Sequence, residues 1–473
     1  VRSITLAVPI RKALHHIRQD MRRVRTPGSF ARNIFDVFSG NSLGMLSQVL
    51  LTPIIARLYG PEAYGLYGLF IAVMMNIAAF GDLGYSSAYV LPKEEDRFID
   101  LVRLNMVLLL FVAVAFSTFA FFPDQLFQVL PGCRPLGERI HLAAPLAVCY
   151  TLSVMGTQWL TRAKEFKRSA FTGATIEVSL RILNLAYGLI AKARLNGLIL
   201  CEVIVRAGII PLYAFGLRDH GLHRLGSDWN LARLKEIAIA YKRYPLLVFP
   251  ERWVSLIGMQ IPIFFLANDL TVVGHYSLGA SLLLMPLRLL GFSMSTVYMQ
   301  KASEVAHDHP SELKRLTHGL YKRLFWIGIG PFLALIFFSD LAFALVFGEP
   351  WRQAGLVTAA LGGFFFFRLL TEPLVSIFNI QRREQVMLVF QISLSAARLI
   401  GVYCALQLGY GALAVILIYG LIGMLGYTVL SIMILNSTQL NGLAITLRSA
   451  FVFLSLAACL GALRLALTGP WWP

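Results

Sequence analysis

The chain reads as an all-α polytopic membrane protein of two six-helix lobes related by an internal repeat, with about 12 to 14 transmembrane helices. Three observations predict this. Of its 473 residues, 57% are hydrophobic and 14% charged, and the mean hydropathy is +0.68. A soluble globular chain is nearer half apolar and a quarter charged. Apolar runs of about 20 residues, each enough for one helical span, recur along the whole length. Features of the first half also return in the second in the same order. This composition excludes a secreted or cytosolic enzyme, and disorder requires low hydrophobicity. An outer-membrane barrel would alternate apolar and polar residues along strands of about 10, whereas the run 104–122, LNMVLLLFVAVAFSTFAFF, is apolar all round.

Residues 1–33 form a basic tail. Ile10, Leu14, Ile17, Met21 and Val24 recur at helical spacing, and Arg11, Lys12, Arg18, Arg22, Arg23 and Arg25 occupy the remaining face. That is the pattern of an interfacial helix on anionic phospholipid; the alternative is a solvated tail that only sets topology. The basic stretch leads into a long span without a small-residue cleavage site, so the first span is expected to stay attached. An N-terminal lobe, 34–217, contains spans near 34–58, 66–90, 104–122, 138–160, 170–191 and 195–217. A cytoplasmic linker follows at 218–243. Its stretch 227–243 predicts a surface helix, capped by Ser227 or Asp228 and striped by Leu231, Leu234, Ala238 and Tyr241. The C-terminal lobe, 244–435, contains spans near 244–267, 273–297, 321–338, 354–378, 386–407 and 410–435. One further apolar run near 446–467 lies in the segment 436–473, where Arg464 sits near a span end and suits snorkelling and Trp471 and Trp472 suit an interfacial anchor.

Charge orients this arrangement. About 29 of the 42 Lys and Arg fall on the side of the N-terminus and about 6 on the opposite side, so the positive-inside rule makes the N-terminus cytoplasmic. External loops are short, the longest being 123–137, which leaves no room for a folded periplasmic domain. The net charge of +17 is dispersed among loops rather than gathered in one patch, so no nucleic-acid partner is expected. Cys133, Cys149, Cys201, Cys404 and Cys459 have no paired spacing and read as small apolar packing residues.

The repeat rests on three matches. The stretches 54–70 and 264–280 align through Gly65-Leu66-Tyr67 and Gly274-His275-Tyr276, at an offset of about 209. The stretches 121–132 and 337–348 share Phe121/Phe337, Phe122/Phe338, Asp124/Asp340, Phe127/Phe343 and Gly132/Gly348, at about 216. Glu165 and Glu384 are in register in equivalent cytoplasmic loops, at about 219. An even number of spans per repeat gives both lobes the same orientation. Transporters built this way place the substrate between repeats and work by rocking.

The runs LYGPEAYGLYGLF and FGDLGYSSAYVLP, then VGHYSLGASLLLMPLRLLG and FGEPWRQAG, resemble the polysaccharide exporter or O-antigen flippase family. It is a branch of the multidrug/oligosaccharidyl-lipid/polysaccharide exporter superfamily. The similarity extends over about residues 30–435. It implies a multi-pass protein of the bacterial inner membrane that moves undecaprenyl-pyrophosphate-linked oligosaccharide units to the periplasmic leaflet. Those units serve O-antigen, capsule or exopolysaccharide synthesis, with a polysaccharide polymerase and glycosyltransferases as partners. The basic tail and the run after residue 435 depart from the family's twelve-span pattern.

Ionisable residues within spans are costly and face a bundle interior or an aqueous path. They are Asp82, Glu177, Arg181, Glu202, Arg206, Glu251, Arg252, Arg288, Arg368, Glu372 and Arg398. Glu177 with Arg181, Glu202 with Arg206, and Arg368 with Glu372 are i,i+4 pairs on one helix face, suited either to self-neutralisation within the bundle or to the transport path. A pyrophosphate needs multidentate cationic donors, and guanidinium supplies a planar fork that stays charged at any working pH. Arg252, Arg288 and Arg398, without acidic i,i+4 partners, are the leading candidates, followed by Arg181, Arg206 and Arg368. Arg288 lies beside Pro286, where a kink can open a cavity. Glu202, Glu372, Glu177 and Asp82 are candidates for proton or sodium coupling, although Asp82 also suits a helix break. Phe364 to Phe367, Trp159 and Tyr150 suit packing against lipid or other helices better than stacking on sugars.

No cofactor is expected. His307, Asp308 and His309 supply too few ligands for a metal, and no nucleotide-binding or hydrolytic motif is present. That weighs against a polymerase or ligase. The remaining alternatives are a lipid II or multidrug exporter of the same superfamily.

Overall fold

A computed structural model describes residues 30–192, 195–227, 229–306 and 309–469, which are overwhelmingly helical and contain no strand. The predicted tail helix at 10–25, His307, Asp308 and the Trp471–Trp472 pair lie outside the described residues. Ten helices are long and apolar enough to cross a membrane.

The first, α1, runs Phe30–Asp82 but comprises two spans divided at Gly60, whose φ of 75° and ψ of 173° only glycine adopts without strain. Pro61 follows and begins the second half. This half ends at Asp82, eight residues short of the predicted boundary, because Leu83 and Gly84 both take positive φ and turn the chain into a short 3-10 segment, Tyr85–Ala88. Helices α2 (Glu95–Ala120), α3 (Ala143–Arg162), α4 (Phe166–Ile190) and α5 (Gly197–Leu217) complete the first lobe.

The linker helix α6 is Leu231–Ala240, and its cap is Asn230 rather than Ser227 or Asp228: the Asn230 side chain accepts from the Ala232 and Arg233 amides. Its buried face is Leu234 and Ile237, while Leu231 is exposed. The predicted stripe holds at Leu234, Ala238 and Tyr241, with Ile237 added to it, and departs only at Leu231, the first residue of the helix, which is exposed. The linker clings to α2 through Arg97–Glu236, Arg224–Asp96 and Arg233–Asp100, and Arg103 donates to the Arg224 carbonyl at 2.5 Å.

The second lobe contains α7 (Phe249–Phe265), α8 (Leu270–Pro286), a π turn (Leu287–Gly291) that leads into α9 (Phe292–Val305), α10 (Pro310–Phe347), α11 (Arg352–Thr371), α12 (Glu384–Gln407) and α13 (Ala412–Ser437). Helix α10 begins well before its predicted span. Its charged first turns, with Glu312 and Arg315 paired at 3.3 Å, extend the 38-residue helix beyond the ~30 Å that hydrocarbon requires. Helix α11 is the centre of the lobe, packed by α8, α10 and α13. Phe364, Phe365, Phe366 and Phe367 are consequently all fully buried, and neighbouring helices rather than lipid receive them.

The last helix, α14 (Gly442–Thr468), lies against α10 and α13 with most of its surface outward. Arg464 does not snorkel. It is 1% exposed and donates to both carboxylate oxygens of Asp340 on α10, at 3.1 and 2.8 Å, with Arg352 at 3.8 Å from the same group. This pairing puts the end of α14 on the face where α10 ends, opposite the start of α1.

A buried guanidinium stripped of its carboxylate is strongly destabilising, by about 3–5 kcal/mol. Asp340→Ala should therefore lower the thermal midpoint of the detergent-solubilised protein clearly. The double variant D340L/R464M should recover most of the loss. An unchanged midpoint in D340A would show that the pair does not hold α14.

Candidate substrate path between the lobes

In the first lobe the charged pairs predicted on α4 and α5 form as spaced. Glu202 is almost fully buried. It accepts a hydrogen bond from Arg206 Nε at 2.5 Å and one from Tyr67 Oη at 2.8 Å. The Arg206 guanidinium also lies 4.7 Å from the ring centre of Tyr150. Two donors and an aromatic face are what a buried ion pair needs to offset desolvation. Glu177 and Arg181 are 3.7 Å apart on α4, with the carboxylate the more exposed partner. Gly44 of α1 packs directly on Glu177, where an added Cβ would stand 3.2 Å from the Glu177 Cβ.

In the second lobe Arg368 Nε meets Glu372 at 3.0 Å, and its Nη1 lies 3.2 Å from Met259 Sδ. The Tyr427 ring centre is 5.8 Å from the same guanidinium. Glu372 opens a 3-10 turn, Glu372–Leu374, that interrupts the helix at Pro373. Its carboxylate is largely exposed, whereas Arg368 is mostly buried.

The three arginines grouped by sequence are separated by the fold. Arg398 on α12 is enclosed, 3% exposed, between the faces of Phe364 and Tyr419 at 4.3 and 4.4 Å. Its Nε and Nη2 make no hydrogen bond, and Gly423 is required beside it because a Cβ there would stand 2.3 Å from Nη2. Arg252 lies in the first turns of α7, exposed, and donates to Ser87 Oγ of the first lobe at 2.7 Å. Arg288 is exposed on the π turn that follows Pro286, with no ion pair or hydrogen bond among the described residues. Asp82 is spoken for: it accepts from the Ser86 amide at 3.0 Å, Ser86 Oγ at 2.9 Å and Asn105 Nδ2 at 3.0 Å, and so holds the break that ends α1. Trp159 packs on Phe98 and donates to the His220 carbonyl, while Tyr150 stacks on Arg206.

A search of charged residues misses the neutral chain that joins the lobes. Asn76 donates to Gln260 at 2.6 Å and accepts from Trp253 Nε1 at 3.1 Å, with Phe80 edge-on to Trp253 at 5.0 Å. The available signal was an amide inside each of two apolar runs. Tyr419 and Tyr276 were also unmarked. Pro262 has no N–H, which frees the Gly258 carbonyl four residues earlier, and Tyr419 donates to it at 2.9 Å; Tyr276 donates to the Met259 carbonyl at 2.7 Å. No cluster of three metal-ligating side chains occurs among the described residues.

Arg398 separates packing from charge. Arg398→Met keeps much of the volume between the two rings, so thermal stability should fall by less than about 1.5 kcal/mol. Arg398→Ala leaves a cavity and should cost about 2–5 kcal/mol. Thermal melts of the two purified variants check this, and equal losses would indicate that the charge, not the volume, holds the site.

With this geometry in view, the comparisons with known proteins are informative. No curated protein sequence matches the chain. Among solved structures, it is similar to the lipid II flippase MurJ in an inward closed conformation, with a TM-score of 0.65 and 17% identity over 90% of this chain and 92% of that one. An inward-facing multidrug resistance MATE family transporter of the MOP superfamily gives 0.64 and 15%, over 85% and 99%. A MOP superfamily transporter from Pyrococcus furiosus, described as having a binding pocket of reverse polarity, gives 0.59 and 16%, over 85% and 95%. These likenesses establish the fold, that of helical polytopic membrane transporters. The sequence model described as "Polysaccharide biosynthesis protein" matches residues 54–356, well over half the chain and inclusive of every run that carries the resemblance between Ile54 and Gly355; the protein belongs to this polysaccharide biosynthesis family.

Proposed function

We propose that the protein is a flippase that moves undecaprenyl-pyrophosphate-linked oligosaccharide repeat units from the cytoplasmic to the periplasmic leaflet of the bacterial inner membrane, for O-antigen, capsule or exopolysaccharide synthesis. The lobes alternate access while the prenyl tail stays in lipid. The observation that carries this reading is Arg288: an exposed guanidinium without a partner among the described residues, on a helix break beside a proline, in a membrane protein of a polysaccharide biosynthesis family. An unpaired guanidinium accepts a pyrophosphate without first losing an ion pair, and its fork matches phosphate oxygens. Arg252 is held by one neutral hydroxyl and offers a second such donor. Arg181, Arg206 and Arg368 already have carboxylates, and Arg398 is enclosed. They bias the potential of the path rather than grip the substrate.

Coupling to a proton or sodium ion falls to Glu372 and Glu177 before the other acids. Each carboxylate is exposed and has one cationic partner, whereas Glu202 and Asp82 are already held by several donors. The N-terminus is cytoplasmic in this scheme, on the charge distribution of the loops. Anionic phospholipid surrounds the basic tail, and the polymerase and glycosyltransferases act on either side of the transport step.

The deciding experiment assigns lipid-linked intermediates to a leaflet in cells lacking the protein. Complete repeat units trapped on the cytoplasmic face are expected. Units that reach the periplasmic face unpolymerised would mean a polymerase instead, and an unchanged lipid pool would mean export of some other molecule.

Arg288→Ala should abolish export at normal protein level, and Arg288→Lys should restore it only in part, because an ammonium lacks the planar fork. Full export by R288A would remove Arg288 from the substrate path.

A further inference from the structure

One cluster between the lobes combines rings with side-chain amides and contains no charged side chain. Asn76 and Phe80 stand one turn apart on the second half of α1, and Phe249, Trp253 and Gln260 stand on α7. Across the interface Asn76 Nδ2 donates to Gln260 Oε1 at 2.6 Å, and Trp253 Nε1 donates to Asn76 Oδ1 at 3.1 Å. The three rings converge. Phe80 is edge-on to Trp253 at 5.0 Å and to Phe249 at 5.2 Å, while Phe249 and Trp253 lie nearly parallel with centres 6.1 Å apart. Asn76, Phe80, Phe249 and Trp253 are half-buried. Gln260 is 6% exposed, and its Nε2 makes no hydrogen bond among the described residues.

Packing alone does not call for this composition. A buried amide costs free energy unless its groups find partners, and Gln260 commits only its oxygen here. The chemistry that matches the cluster is that of a sugar. A pyranose presents an apolar C–H face, which suits a ring face, and a rim of hydroxyl or acetamido groups that both donate and accept. Side-chain amides carry both functions in one planar group, and the indole N–H adds a donor. Without a guanidinium or a carboxylate, the cluster neither competes for a pyrophosphate nor repels it.

Its position fits the same reading. Arg252 directly precedes Trp253 and is exposed in the first turns of α7, and Gln260 lies two turns further along that helix. A pyrophosphate held by Arg252 therefore leaves its first sugars beside Trp253 and Asn76. We propose that Asn76, Trp253 and Gln260, with the rings of Phe80 and Phe249, form the subsite that reads the glycan, its hydroxyls replacing the bond between Asn76 and Gln260. The assignment rests on the flippase reading and deepens it, dividing the substrate between two kinds of donor. Charge grips the pyrophosphate, and neutral groups recognise the sugars. A site built to bond hydroxyls strongly rejects analogues that lack them, so these residues rather than the arginines set which glycan passes.

The test measures binding of two probes to the full chain in detergent: undecaprenyl pyrophosphate, and the same lipid bearing the complete repeat unit, extracted from cells lacking the protein. The parent should bind the glycosylated lipid about tenfold more tightly. Trp253→Leu and Asn76→Ala should each weaken the glycosylated lipid about fivefold and spare the bare one, whereas Arg288→Ala should weaken both. Should W253L aggregate, Trp253→Phe, which keeps a ring and removes only the donor, carries the same comparison with an expected threefold loss. Parental affinity for the glycosylated lipid in both variants overturns the subsite, and so does equal weakening of both lipids, which a merely structural role would produce. In either case continued binding of the bare lipid by the parent leaves the pyrophosphate reading standing. A parent that binds neither lipid removes the flippase reading, and the subsite with it.

Discussion

Inside a bilayer every backbone amide and carbonyl needs a protein partner, because hydrocarbon supplies none. Continuous helices meet that demand without help from side chains, so each interruption has to be repaired locally. In this protein the repairs are explicit. Where α1 ends, Asp82 takes the Ser86 amide and hydroxyl and the Asn105 amide. Where Pro262 frees a carbonyl of α7, Tyr419 from α13 donates to it. After Pro286 the chain closes a π turn instead of an α turn, and at Pro373 a 3-10 turn bridges two helices. Arg288 and Glu372 sit on the last two of these breaks. The residues with exposed charge are thus carried by the places where the helical ladder is already broken and water access costs least.

Four further pairs neutralise charge within the lobes. Glu202 with Arg206, Glu177 with Arg181, Arg368 with Glu372, and Asp340 with Arg464 are all intralobe pairs. The linker attaches to α2 by ion pairs of its own, and Arg243 at its end reaches Glu384 of the second lobe. Between the lobes lie the amide chain of Asn76 and Gln260, the aromatic contacts of Phe80 and the close approach of Gly65 to Gly274. Within each lobe the cations of those four pairs meet carboxylates, whereas directly between the lobes the guanidiniums of Arg252 and Arg57 meet only neutral acceptors, and the one ion pair that reaches across among the described residues runs through the linker.

The enclosure of Arg398 between Phe364 and Tyr419 illustrates how a charge is stored without a counterion. Two π faces at about 4.4 Å interact with the guanidinium through their quadrupoles, while Gly423 leaves the room that lets the plane enter. The same residues form the hydrophobic centre of the second lobe, so this buried cation is also part of its core.

The sequence by itself determined the helices, their grouping and their internal pairs. A span is a local property of about 20 residues, and an i,i+4 pair is set by helical geometry alone. The equivalence of Gly65 and Gly274 was also legible, as a repeat. Only the tertiary structure decided what those residues do. That the two glycines touch depends on the rotation of one lobe against the other. That Arg288 stays exposed while Arg398 is enclosed depends on which neighbours α11 and α13 bring to each helix. Arg464 found Asp340, 124 residues away, because helix packing sets side-chain partners across distances at which one-dimensional periodicity carries no information.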